Sequence, residues 1–258
     1  MQVLFLQSPL EQFQVFPILS FYFLGYDFSL TNETVILGLI LFLTICFFNS
    51  LYQKRNDNSL DLIPKRRQSV LELIYSSMLS LVVDNIADKN SQKFFPLIFS
   101  LFLFVLSLNL IGLIPYSFTL TSHLILTFFI SLSIFIGINI ISAKKHGIRM
   151  FSLFLPAGTS VALAFLLVPI ELISYIFKPV SLSIRLFANM MAGHTLLKVI
   201  AGFAYVLMGS GGILFLLQYI PLLILIPLFG LELAVALIQS FVFSILICIY
   251  LNDSINLH

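Results

Sequence analysis

Charge is what this chain has least of. Only 9% of its 258 residues are Asp, Glu, Lys or Arg, against roughly 25% in soluble domains. With 60% hydrophobic residues and a mean hydropathy of +1.09, a water-soluble globular fold is excluded. Tryptophan is absent beside 28 phenylalanines, a bias that fits an A+T-rich coding sequence. Cysteine is limited to Cys46 and Cys248. Both sit in apolar runs and read as small packing residues, so neither a disulfide framework nor a metal site is expected. The first 33 residues hold no Lys or Arg. A secretory signal needs a basic start and a transit peptide is Arg-rich, so neither is read here. The expectation is synthesis in the compartment whose membrane receives the chain. The net charge of +2 is spread over loops and makes no basic stripe for nucleic acid.

What is present is long apolar sequence, over residues 35–48, 94–115, 120–143 and most of 151–251. Each run is near or beyond the ~20 residues of a membrane-crossing helix. The runs are continuous, whereas a membrane β-barrel needs short alternating segments. The fold class is therefore an all-α polytopic membrane protein. Residues 1–33 read as an N-terminal arm with one short helix, and 34–258 as a single membrane domain. Spans are expected at about 34–52, 94–114, 121–143, 160–205 and 213–251. Residues 69–88 place Val70, Leu71, Ile74, Met78, Leu81 and Val82 at helical spacing, with Glu72 and several serines on other faces. That pattern predicts an amphipathic helix lying on the membrane surface.

The last two segments are too long to cross upright. About 40 helical residues measure ~60 Å, twice the ~30 Å hydrocarbon core. Each must break into two spans or tilt steeply, and Pro169, Pro179, Pro221 and Pro227 permit bends. Charge placement decides between these. With five spans, ten of the thirteen Lys and Arg fall in 54–67, 89–93 and 144–149, all on one side. The opposite connections hold none, so the positive-inside rule puts the N-terminus outside and the C-terminus inside. Two long tilted helices are the reading.

The first of them carries ionisable groups at a telling spacing: Glu171, Lys178 and Arg185 are seven apart. Seven residues turn about 700°, within about 20° of two full turns, so the three share a face. Asn189 extends that face, and His194 and Lys198 lie on a rotated one. The second long helix carries Glu232 and Gln239, again seven apart. Facing stripes on antiparallel helices make a hydrated path, and Asn109, near the outer end of the 94–114 span, is placed to add to it. A charged group at the bilayer centre costs at least roughly 2.5–3.5 kcal/mol, and arginine cannot shed its proton. Glu and His can take up and release protons near neutral pH once their surroundings tune them. The pattern is a proton path with a fixed barrier in it. The blander alternatives are an ion pair of Arg185 with Glu171 or Glu232, a hydrogen-bonded buried acid at Glu232 and a packing imidazole at His194. Lys178 and Lys198 read as snorkelling side chains; His123 and His146 lie in or near loops and are given no role.

The run from Lys178 to His194, KPVSLSIRLFANMMAGH, closely resembles subunit a of the F-type ATP synthases. Further matches are NLIGLIPY at 109–116, His146-Gly147, FLPAG at 154–158, ELISY at 171–175, and Glu232 with Gln239. The resemblance implies a vertical helix, a surface helix, a hairpin and two long helices facing a rotor ring. It implies that Arg185 parts two aqueous half-channels and meets a rotor carboxylate. Asn189, His194, Glu232, Gln239 and Asn109 then line one proton path, with Glu171 in the other half-channel. Bacterial members tend to carry an acid at the His194 position and a histidine at the Glu232 position. The exchanged pair here is similar to the mitochondrial type, which implies the inner membrane with "inside" as the matrix. The implied partners are the ring of c subunits, the peripheral stalk, other Fo membrane subunits, lipids and protons, with no cofactor. The chain is expected to be no enzyme on its own. Two other readings are a proton-pumping subunit of a respiratory complex and a structural membrane anchor. The first usually needs lysine chains over more spans, and the second leaves two polar stripes unexplained.

Overall fold

The computed structural model describes residues 13–23, 26–52, 66–86, 91–114, 117–147, 161–210 and 213–256. Residues 1–12 of the arm, the charged loop 54–65, Lys89, Pro115 and Tyr116, Arg149 and the 154–158 motif lie outside them.

Helix α1 (Asn32–Tyr52) starts at a reciprocal cap. Thr34 donates its N–H to Thr31 Oγ1 at 3.4 Å, and Thr31 donates its N–H to Thr34 Oγ1 at 3.1 Å. Two backbone donors that no helical carbonyl can reach are thereby satisfied. Glu33 adds a favourable charge in the first turn. The described part of the arm forms two small antiparallel ladders: β1 (Pro17–Leu19) pairs with β4 (Leu30–Thr31), and β2 (Tyr22–Phe23) with β3 (Tyr26–Asp27). The Asn32 side chain ties the arm to α1, accepting from Phe16 N–H and donating to the Gln14 carbonyl, both at 3.2 Å.

Helix α2 (Arg66–Asn85) is amphipathic. It buries Met78, Leu81 and Val82 and leaves Glu72, Ser76 and Ser80 exposed. Helix α3 (Phe95–Gly112) follows, and Tyr75 of α2 meets Phe95 edge-on with ring centroids 4.8 Å apart. A connection with one 3-10 turn (Leu120–Ser122) leads to α4 (Leu124–His146). Gly147 ends α4 at φ +57°, a left-handed conformation that glycine adopts without penalty.

Helix α5 (Val161–Ser210) is one continuous 50-residue helix through Pro169 and Pro179. At ~1.5 Å per residue it is ~75 Å long. Short α6 (Ile213–Leu217) precedes α7 (Tyr219–Ile255), which runs 37 residues through Pro227. The sequence reads as two long helices, not four short ones; α5 runs unbroken through both its prolines and α7 through Pro227, with only the short α6 set apart before it. Four helices among the described residues are long and apolar enough to cross a membrane, in α3, α4, α5 and α7.

The chain divides into two compact units. One comprises residues 1–45, 105–127 and 185–239; the other comprises 46–104, 128–184 and 240–258. The second is closed by polar ties around the end of α7. Ser142 Oγ donates to the Ser254 carbonyl at 3.1 Å, and His146 Nε2 lies 2.7 Å from the Ile255 carbonyl. Lys178 Nζ pairs with Asp253 at 3.3 Å and sits over the Tyr175 and Tyr250 rings, 5.4 and 4.9 Å from their centroids. Tyr175 donates its hydroxyl proton to Asn139 Oδ1. The Ser142 and His146 contacts meet two of the last carbonyls of α7, which no intrahelical donor reaches.

Candidate functional site

The first unit gathers most of the polar residues singled out above. Asn189 of α5 donates from Nδ2 to Gln239 Oε1 of α7 at 2.9 Å. Nearby, His194 Nε2 of α5 stands 3.6 Å from Glu232 Oε1 of α7. The higher-numbered residue on α5 faces the lower-numbered one on α7, as antiparallel helices require. Asn189 and His194 of α5 therefore meet the Glu232–Gln239 stripe, whose seven-residue spacing keeps both contacts on one side of α7.

Asn109 of α3 closes the third side. It is fully buried and donates from Nδ2 to the Ala236 carbonyl at 3.3 Å. Ala236 lies one turn from Glu232, so Asn109 touches α7 beside the acid. Leu113, Met190 and Ala236 form a small buried cluster among the same three helices. The apolar seal and the polar contacts thus come from adjoining turns of the same elements.

Gly193 is what lets α5 and α7 come this close. A Cβ there would lie 2.7 Å from Glu232 Oε1, 3.0 Å from its Cδ and 3.2 Å from its Cγ. Any side chain at 193 would push the whole Glu232 side chain aside, not its tip alone. The Glu232 side chain is 4% exposed and that of His194 15%. Both Glu232 oxygens and His194 Nε2 are buried with no hydrogen-bond partner among the described residues. An unpaired buried polar atom costs about 1–3 kcal/mol, so the pair demands a hydrogen-bonding guest such as water.

Arg185 and Glu171 are placed differently. Arg185 is exposed on α5 beside the exposed Ile184, and has no ion-pair partner among the described residues. Glu232 faces His194 instead, so the ion pair of Arg185 with Glu232 is not formed. Glu171 occupies an exposed position of α5 in the second unit. Lys178 is engaged there with Asp253. Gly193 escaped the sequence reading as a site residue. Its only signal was a glycine beside a histidine in an apolar helix, where glycine weakens the helix unless something must approach closely.

What the arrangement can do chemically is limited and clear. It offers a buried acid and a half-buried imidazole 3.6 Å apart, amides that donate and accept, and a separate fixed cation. Among the described residues no cluster of three or more His, Cys, Asp or Glu could hold a metal ion.

The family model described as ATP synthase A chain matches residues 34–252. The chain is 54% identical to ATP synthase subunit a of Pylaiella littoralis over 97% of its own length and 99% of the relative's. It is 51% identical to the subunit a of Chondrus crispus, covering 97% of each chain. To that of Marchantia polymorpha it is 49% identical, over 97% of this chain and 99% of the relative.

Proposed function

The chain belongs to the ATP synthase A chain family, and from that premise we propose that it is the stator proton channel of a mitochondrial ATP synthase. It lies in the inner membrane with its N-terminus toward the intermembrane space and its C-terminus toward the matrix. It works against a ring of c subunits, held by the peripheral stalk and other Fo subunits. The observation that carries the reading is the buried His194–Glu232 pair, 3.6 Å apart, at the Gly193 gap.

Protons enter from the intermembrane space and pass between Glu232 and His194, with Asn189, Gln239 and Asn109 holding the hydrogen-bonded path. They neutralise a rotor carboxylate, which can then face lipid at lower cost. After most of a turn that carboxylate meets Arg185, whose permanent charge favours the ionised form. The proton leaves toward the matrix past Glu171. Arg185 also repels any proton that would cross directly. One charge falling through 100 mV releases ~2.3 kcal/mol, so several protons serve each ATP. The exposed placement of Arg185, with no ion-pair partner among the described residues, supports this: a guanidinium on an apolar face is best met by a partner's carboxylate.

Gly193→Ala is the test. In vesicles stripped of the catalytic head, passive proton conductance is expected to fall by about tenfold or more, the scale of a relay misplaced by 1 Å. Assembly, read by native gel, is expected to survive. An assembled Gly193→Ala complex conducting at the native rate would remove Glu232 from the proton path. Lys178→Met is expected to behave oppositely. Its partly exposed pair with Asp253 is worth about 1 kcal/mol or less. ATP-driven pumping should stay within about fivefold of native, measured by a pH-sensitive dye in inverted vesicles. A loss beyond that range would make Lys178 part of the path.

A further inference from the structure

We infer that the connection between α3 and α4 forms the outer mouth of the entry half-channel, with Thr121 and His123 as its first hydrogen-bonding stations. The inference rests on the reading of Glu232 and His194 given above.

The buried side-chain polar atoms without a hydrogen-bond partner, among the described residues, are Asn109 Oδ1, Thr121 Oγ1, His123 Nε2, His194 Nε2 and both oxygens of Glu232. All five residues belong to the first unit, and none to the second. An apolar interior would scatter such costly atoms or leave none. Their confinement to one unit marks a polar, water-bearing route there. Glu232, His194 and Asn109 are its inner part. Thr121 and His123 are the remainder, and they lie on a connection that carries no Lys or Arg, on the side read as outside.

Physical continuity supports the link. Ser117 Oγ donates to the Ile111 carbonyl at 2.7 Å and to that of Gly112 at 3.2 Å, which seats the connection on the end of α3. A Cβ on Gly112 would lie 3.1 Å from Thr119 Cγ2, so the glycine permits that seat. Asn109, one turn earlier on α3, bonds α7 one turn from Glu232. The connection also discriminates among its own hydroxyls. Thr119 donates to Ser122 Oγ at 2.8 Å, and Ser122 donates to the Thr119 carbonyl at 2.6 Å. Those two are satisfied internally while Thr121 and His123 are not. Phe118 stacks on the His123 ring at 5.0 Å and 23°, fixing the imidazole plane. His123 keeps part of its surface open although its Nε2 is buried. A ring with one nitrogen inside and an edge outside can pass a hydrogen bond inward.

The test is passive proton conductance of the assembled complex in head-stripped inner-membrane vesicles, for His123→Leu, Thr121→Val, His123→Gln and, as reference, Glu232→Gln. The expected result is a fall of about fivefold to tenfold in His123→Leu and in Thr121→Val, the scale of one lost hydrogen bond. His123→Gln restores donors and acceptors and should stay within about twofold of native, which a merely structural effect of size and packing would not predict. Native conductance in both His123→Leu and Thr121→Val, with Glu232→Gln blocked, overturns the mouth and leaves the inner path standing. Native conductance in all of them overturns the path as well. If His123→Leu fails to assemble, the isosteric Thr121→Val decides alone.

Discussion

Arg185→Ala is expected to abolish ATP-driven proton pumping while raising the passive leak of head-stripped vesicles. The two effects have one cause. A carboxylate and a guanidinium about 4 Å apart attract by about 4 kcal/mol at an effective dielectric near 20. That is about a thousandfold in the ionisation equilibrium of a rotor carboxylate. Without the arginine the carboxylate keeps its proton, and the ring turns without unloading. The same charge repels a proton moving directly between half-channels, so its removal opens a shunt. Assembly should survive, because Arg185 is exposed and has no ion-pair partner among the described residues; its loss strands no buried acid there. Arg185→Lys should retain part of the coupling. An ammonium supplies the charge but lacks the planar fork and can lose its proton when desolvated. Normal pumping by assembled Arg185→Ala would sink the barrier role and turn the charge into a structural feature.

Much of this was legible in the residues, and the reason is periodicity. Apolar runs longer than a bilayer is thick leave only helices, because lipid satisfies no backbone group. Spacing by seven puts Glu232 and Gln239 on one face of α7, and α5 presents Asn189 and His194 to that face. What was not legible depends on contacts between distant residues. Lys178 meets Asp253 across 75 positions, and no spacing rule reaches that far. The role of Gly193 is set by a side chain on another helix, since a glycine's value lies in what approaches it. The small ladders of the arm pair two or three residues each, too few for alternation to appear. The continuity of α5 through Pro169 and Pro179 was legible only through charge placement, because proline by itself permits a bend without requiring one. In the sequence Thr121 reads only as the start of a span and His123 as a residue in or near a loop, and neither is given a role. Burial of their polar atoms is a tertiary fact.

Glu232→Gln is expected to cut passive proton conductance by about a hundredfold or more, the usual worth of one positioned acid–base group. Glutamine matches glutamate in shape and keeps hydrogen bonding, so it removes only the ability to take and give a proton. Its pair with His194 makes a sharper experiment possible. His194→Glu alone sets two carboxyl groups at about the spacing where like charges cannot both ionise easily. Glu232→His alone sets two imidazoles together, with no acid between them. Each single exchange should therefore conduct poorly. The double exchange His194→Glu with Glu232→His restores one acid and one imidazole at the same crossing of α5 and α7. Gly193 leaves room at position 232, since the space a Cβ would fill is already given to that side chain. Conductance of the double exchange should recover to within about tenfold of native, well above either single one, because residues in contact do not combine additively. The coupling energy from the four conductances measures the pair itself. If the two losses simply add, His194 and Glu232 act on separate steps, and the 3.6 Å approach between them is packing.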